Sequence, residues 1–279
     1  MTVDAHHHLW DIDVRERPWI AGPEMEPLRR DFRPTDLAQA LRGTQVDTTV
    51  LVQSATDPEE APEMLVLADS ASCIGGVVGW VDLSARAVRG QLADLLSHPA
   101  GRWLKGVRHP VAHEPDAEWL TRPEVSRGLA AVEDAGLLFE LAVGPEQLPS
   151  AIKVVGDFPQ LTFVLDHCGR PPIGGDLAGW ESSVRRLAGH PNSVCKLAGL
   201  ATAAGWGGKP EPAELLPCVE VLLDAFGPGR MMFGSDWPVC LLSASYREVL
   251  ELTSELLGGL PQQDRMSIFD GTARQVYGL

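Results

Sequence analysis

Residues 3–10 read VDAHHHLW and residues 231–238 read MMFGSDWP. The first is a short apolar run that ends in histidines. A doubly wound open sheet usually carries a glycine-rich turn after its first strand, and no GxGxxG occurs in this chain. Six further apolar runs lie between these two stretches. The eight candidate strands are Val3–His8, Thr48–Gln53, Ile74–Asp82, Trp103–His109, Leu137–Val143, Leu161–His167, Ser193–Gly199 and Met231–Asp236. Most are unbroken in hydrophobicity, as parallel strands buried on both faces should be. Helical patterns separate them. Val125, Leu129 and Val132 recur at i, i+4, i+7, and Leu215, Val219, Leu222, Leu223 and Phe226 continue the same period. Pro123, Pro145 and Pro212 stand near helix starts, where proline is tolerated.

Alternation of this kind over 279 residues predicts one (β/α)8 barrel domain covering residues 1–279. The open doubly wound sheet is the rival reading. There is no repeat, low-complexity tract or charge block. Two connections exceed ordinary loop lengths, Trp10–Asp31 and Leu200–Pro212, and both follow strand C-termini, so both should border the barrel mouth.

The net charge of −15 argues against a nucleic-acid partner and against an anionic membrane surface, since both need a basic footprint. Five cysteines, none in CxxC spacing, argue against a disulfide framework and a sulfur-bound zinc. No signal segment and no membrane-length apolar run is visible, so a reduced cytoplasmic setting is expected. A homodimer would be ordinary for a barrel, although no stretch marks an interface.

Barrel strands are dry on both faces, so a charged strand residue needs a reason. The usual one is a place at the C-terminal mouth. His6 and His8 are two apart, so they share a face and can bind one metal ion as neutral imidazoles. The other reading is a pair of satisfied core histidines. Asp236 ends the last run, next to the first if the barrel closes. There it can complete the metal site or act as general base for water. Its plainer reading is a cap or turn residue. His167 can polarise a carbonyl or add a ligand. Asp166, one step away, is expected to face the opposite side and to orient a neighbour. Lys105, Arg108 and His109 lie in WLKGVRHP, where a cation can hold a carboxylate or hydroxyl of substrate or pair with Glu140 on the next strand. Lys196 has the same two readings. Trp10, Trp80, Trp206 and Trp237 follow strand ends, where they can stack on a sugar ring or serve as core. His98, His113 and His190 read as solvated.

VDAHHHLWD, KGVRHPV, VLDHCGRPP, KLAGLAT and FGSDWPVC occur in this order over nearly the whole chain. Together they resemble the amidohydrolase-related family of the amidohydrolase superfamily. Within it the likeness is closest to sugar-acid lactonases of the L-fucono- and L-rhamnonolactone type. The resemblance implies a (β/α)8 barrel that opens a cyclic ester, a sugar lactone as small-molecule substrate, and a polar centre of His6, His8, His167 and Asp236. It implies Asp236 and His167 as catalytic residues. It also implies one divalent ion, zinc before others, on His6, His8 and Asp236, although the branch includes lactonases that work without a metal. The same barrel hosts metal-dependent decarboxylation of aromatic or unsaturated acids, which is the alternative reading. A non-catalytic sugar-acid binder is a third. The family often has Ser at the place of Ala198 and Glu at that of Ala203. Both departures bear on the sugar rather than on the reaction class.

Overall fold

The computed structural model describes residues 1–279 except Ala204 and Trp206. Its eight strands are β1 (Thr2–His7), β2 (Val46–Val52), β3 (Ile74–Gly79), β4 (Leu104–His109), β5 (Leu138–Leu141), β6 (Phe163–Leu165), β7 (Ser193–Leu197) and β8 (Met231–Phe233). All pair in parallel with their sequence neighbours, in the order β1 to β8. The helices are α1 (Pro34–Ala40), α2 (Glu60–Ser70), α3 (Val88–Ser97), α4 (Pro123–Asp134), α5 (Leu148–Asp157), α6 (Ala178–Ala188), α7 (Leu200–Ala203), α8 (Pro212–Phe226), α9 (Tyr246–Leu256), α10 (Gln262–Met266) and α11 (Thr272–Tyr277). This is the (β/α)8 barrel. Val125, Leu129 and Val132 of α4 are fully buried, as are Leu215, Val219 and Leu222 of α8. Pro123 and Pro212 open their helices, where the missing N–H costs nothing.

Strand ends differ from the sequence expectation in a consistent way. Asp166, His167 and Asp236 lie just past their strands. His167, Cys168 and Arg170 have φ of 49°, 57° and 53°, and Asp236 has 56°. Left-handed backbone at non-glycine residues is costly and persists where surrounding structure enforces it.

β1 and β8 close the ring without a regular ladder. A single parallel bridge joins His7 to Trp237. The His8 N–H donates to the Trp237 carbonyl at 2.7 Å, and the Asp236 N–H to the His6 carbonyl at 2.8 Å. At the opposite end α11 plugs the barrel. Ala273 and Tyr277 join Val3, Ala5, Val50, Val78, Val164 and Met232 in one buried cluster. No described helix is long and apolar enough to cross a membrane.

Candidate active site

The histidine pair owes its aim to a bulge. Asp4 pairs with Thr49 and His7 with Leu51, so three steps of β1 match two of β2. An extra residue of this kind re-phases the alternation of side chains. Val3 and Ala5 face the barrel interior below it, and His6 and His8 face the interior above it. Asp4 faces outward and holds the bulge. Its fully buried carboxylate accepts from the His6 N–H (3.1 Å), the Ser235 N–H (2.8 Å), the Ser235 hydroxyl (2.6 Å) and the Tyr246 hydroxyl (3.0 Å). One side chain thus ties β1 and α9 to the turn that carries Asp236.

The two Nε2 atoms of His6 and His8 lie 3.2 Å apart. Asp236 Oδ1 is 3.8 Å from the first and 3.5 Å from the second. His8 Nδ1 is 2.8 Å from the Val52 carbonyl, so it carries the proton and leaves Nε2 with a free lone pair. Two imidazole nitrogens at this spacing need a proton or a cation between them. With a carboxylate oxygen at hand, the donor set fits one divalent ion. The His167 ring packs 4.6 Å from His6, and His6, His167 and Asp236 each offer a ligand atom to a common point. Gly199, at φ +69°, makes room for that ring: a Cβ there would sit 2.7 Å from His167 Nδ1.

Beneath this layer lies a buried charge network. Lys196 Nζ is 2.6 Å from Glu140, 3.2 Å from Asp166 and 3.1 Å from His6 Nδ1. Arg108 Nη1 donates to Asp166 at 3.1 Å and lies 3.3 Å from His6 Nε2, while Nη2 donates to the Gln53 carbonyl at 2.7 Å. Burial alone would raise Asp166, but Lys196, His6 and Arg108 together hold it well below the usual carboxylate range. Burial pushes Glu140 up to about 7 against the pull of Lys196. Burial would also raise Asp236, yet His167, His8 and Arg108 keep it low. Burial takes His167 down to about 4 despite Asp236 and Asp166. At neutral pH Asp236 is therefore an anion and His167 a neutral imidazole.

The site opens into a cavity of about 1220 Å³ at the strand C-termini. His8, Arg108, His167 and Asp236 form its floor, and Trp19, Trp80, Trp119 and Arg170 stand among its walls. The long connection after β1 is a fixed wall. Its Arg15 pairs with Asp57 at 2.8 Å and Glu63 at 2.6 Å, and the buried Arg17 donates to Ser54 Oγ at 2.9 Å. A polar basin with aromatic sides suits a polyhydroxylated ring.

A family model described as Amidohydrolase matches residues 3–279. The chain belongs to the amidohydrolase family. An L-fucono-1,5-lactonase from Burkholderia multivorans is 34% identical over 290 residues, covering 100% of this chain and 96% of that one. An L-rhamnono-gamma-lactonase from Scheffersomyces stipitis is 21% identical over 201 residues, covering 63% and 59%. A solved Burkholderia multivorans amidohydrolase with bound zinc superposes with a TM-score of 0.93 at 34% identity, covering 100% and 99%.

Against the sequence expectations, this amidohydrolase brings together His6, His8, His167, Asp236 and Arg108. Others are placed elsewhere. Lys105 is the second residue of β4, at the closed end of the barrel, where its ammonium lies 3.4 Å from the Gly278 carbonyl. It cannot reach the mouth. It does not meet Glu140 either, whose partner is Lys196. Trp10 and Trp237 are buried against Phe32, and the Trp10 indole N–H donates to the Arg30 carbonyl at 2.9 Å, so neither lines the cavity. His109 borders the cavity, but both its nitrogens are committed. Nδ1 accepts from Trp80 at 3.1 Å, Nε2 donates to Glu114 at 2.7 Å, and the ring stacks on Trp119. It shapes the wall and has no free polar atom for substrate. Asp166 faces inward beside His167, because the left-handed turn breaks the alternation a strand would impose. Ala198 is buried against Gly234, whereas Ala203 sits at the cavity rim. Trp206 lies outside the described residues. Arg170 and His113 line the cavity and were not foreseen, nor was the role of Asp4. A signal for Arg170 was its place three residues after His167 in the same break.

Proposed function

We propose that this chain hydrolyses a sugar-acid lactone of the L-fucono- or L-rhamnonolactone type, with Asp236 and His167 as catalytic residues. The observation that carries the reading is the meeting of Asp236 with His6, His8 and His167 on the floor of a cavity wide enough for a hydroxylated ring. The full-length likeness to an L-fucono-1,5-lactonase supports it.

Water attacks the lactone carbonyl carbon, and Asp236 takes its proton. The tetrahedral intermediate collapses with cleavage of the ring C–O bond. The ring oxygen receives the proton, and the open hydroxy acid ionises with release of one proton. Because Asp236 sits below its usual range, proton transfer from water is uphill, and charge on the carbonyl oxygen must be balanced as it forms. Arg108 and Arg170 are cations that line the cavity and act electrostatically on Asp236. His6, His8 and Asp236 would hold the divalent ion, for which zinc suits the two-histidine, one-carboxylate set. When bound, such an ion polarises the carbonyl and lowers the pKa of a water to about 7. Five unpaired thiols favour a reducing compartment such as the cytosol.

The test is proton release in a pH-indicator assay across a panel of L-fucono-, L-rhamnono- and L-galactonolactones, with and without chelator and added zinc. Rapid acid release from at least one lactone is expected. Silence across the panel, with carbon dioxide released from an aromatic acid instead, would replace the lactonase with the decarboxylase.

A further inference from the structure

Below the His6–His8–Asp236 layer a second group of donors converges: His6, Glu140 and Asp166, all fully buried. Their outer atoms are already spoken for. Tyr277 donates to Glu140 Oε1 at 2.6 Å, and Arg108 to Asp166 Oδ2 at 3.1 Å. That leaves Glu140 Oε2, Asp166 Oδ1 and His6 Nδ1. Lys196 is the cation that faces both of these carboxylate oxygens, and His6 Nδ1 lies 3.4 Å from the Asp166 one. All three atoms point at one centre, which Lys196 Nζ occupies at 2.6, 3.2 and 3.1 Å.

Two carboxylate oxygens and an imidazole nitrogen, dry and directed to one point, are the donor chemistry of a divalent-cation site. We propose that the Lys196 ammonium takes the place of a second divalent cation, so that the barrel accepts at most one ion, above His6. The lysine supplies one positive charge where an ion would supply two. A protein whose lower site is filled by its own side chain cannot share His6 between two metals. The inference concerns the lower seat, whichever ester is cleaved: a neutral imidazole has one lone pair, so with an ion on His6 Nε2 the ring's proton sits on Nδ1, 3.4 Å from Asp166 Oδ1, and the two carboxylate oxygens carry the seat.

The seat is tested by metal content. Wild type, Lys196→Ala and Lys196→Ala/Glu140→Gln would be expressed with zinc, dialysed and assayed for zinc per chain by elemental analysis, with thermal melts alongside. Wild type should hold no more than one zinc. Lys196→Ala should hold one more than wild type and melt higher with zinc than without it. The double variant, short of one carboxylate, should return to the wild-type count. If Lys196→Ala folds only with zinc present, the proposal is supported. If zinc fails to restore its fold, the proposal falls. It also falls if wild type holds two ions, or if a folded Lys196→Ala matches the wild-type count. A wild type with none and a Lys196→Ala protein with one would sink the upper metal site and leave the lower seat standing.

Discussion

Removing the Asp4 carboxylate should separate holding the site from doing its chemistry. In Asp4→Ala the backbone N–H groups of His6 and Ser235 lose their acceptor, and both are buried. A buried orphan donor costs about 1–3 kcal/mol, so the pair costs about 2–6 kcal/mol before any cavity is counted. That is a large share of the roughly 5–15 kcal/mol that holds a typical domain together. Asp4→Asn behaves differently. Its amide oxygen can keep both N–H groups, and the amide nitrogen meets two hydroxyls that can turn to accept. Burial has raised the Asp4 pKa even though its four hydrogen bonds lower it. The folded state therefore binds the proton more tightly than the unfolded chain, and the associated stability is lost as pH rises through the folded pKa. A neutral amide escapes that loss. Asp4→Asn should thus unfold within about 1–2 kcal/mol of wild type. Urea titration gives the stabilities, and lactone turnover the activity. Because the bulge aims His6 and anchors the Asp236 turn, Asp4→Ala should lose about 100-fold in kcat with KM little changed. Conservative Asp4→Asn should recover most of it. The reasoning is refuted if Asp4→Ala keeps both stability and kcat, or if Asn proves as damaging as Ala.

Asp236→Asn removes the proton acceptor while keeping the shape of the turn. Turnover should fall by at least about 100-fold with an unchanged melting temperature, the scale of a lost general base; near-normal turnover would remove Asp236 from the mechanism. With Asp236 ionised and His167 deprotonated above about 4, kcat/KM should rise with pH on one acid limb and then stay flat through neutrality. A limb near pH 6.5 in the His167→Asn background would assign it elsewhere. Lys105→Ala should leave KM unchanged, because that ammonium is at the closed end of the barrel. Ala203→Glu, at the rim, should alter the ranking of sugars across the lactone panel while sparing the reaction class.

The strands and the barrel were legible because burial on both faces writes continuous apolar runs, and the polar residues that interrupt them gather at the mouth. His6, His8, His167, Asp236 and Arg108 stood out for that reason. Lys105 misled because it interrupts a strand too, at the end where α11 and the C-terminus meet it. The tryptophans misled because position after a strand does not say whether a ring turns to the cavity or to Phe32. His109 was placed correctly in space, but only its two partners reveal that its nitrogens are spent.

By itself the sequence determined the eightfold alternation, the set of charged residues that could not stay inside a dry strand, and the family they resemble. These follow from local rules, since burial and side-chain period act residue by residue. Tertiary structure decided which of those residues meet. The bulge at Asp4, the left-handed turn at His167 and the docking of Tyr246 on Asp4 each re-aim a side chain against the simple alternation. The Asp4 carboxylate that holds the bulge meets Ser235 and Tyr246, more than two hundred positions away, and no local pattern records those contacts.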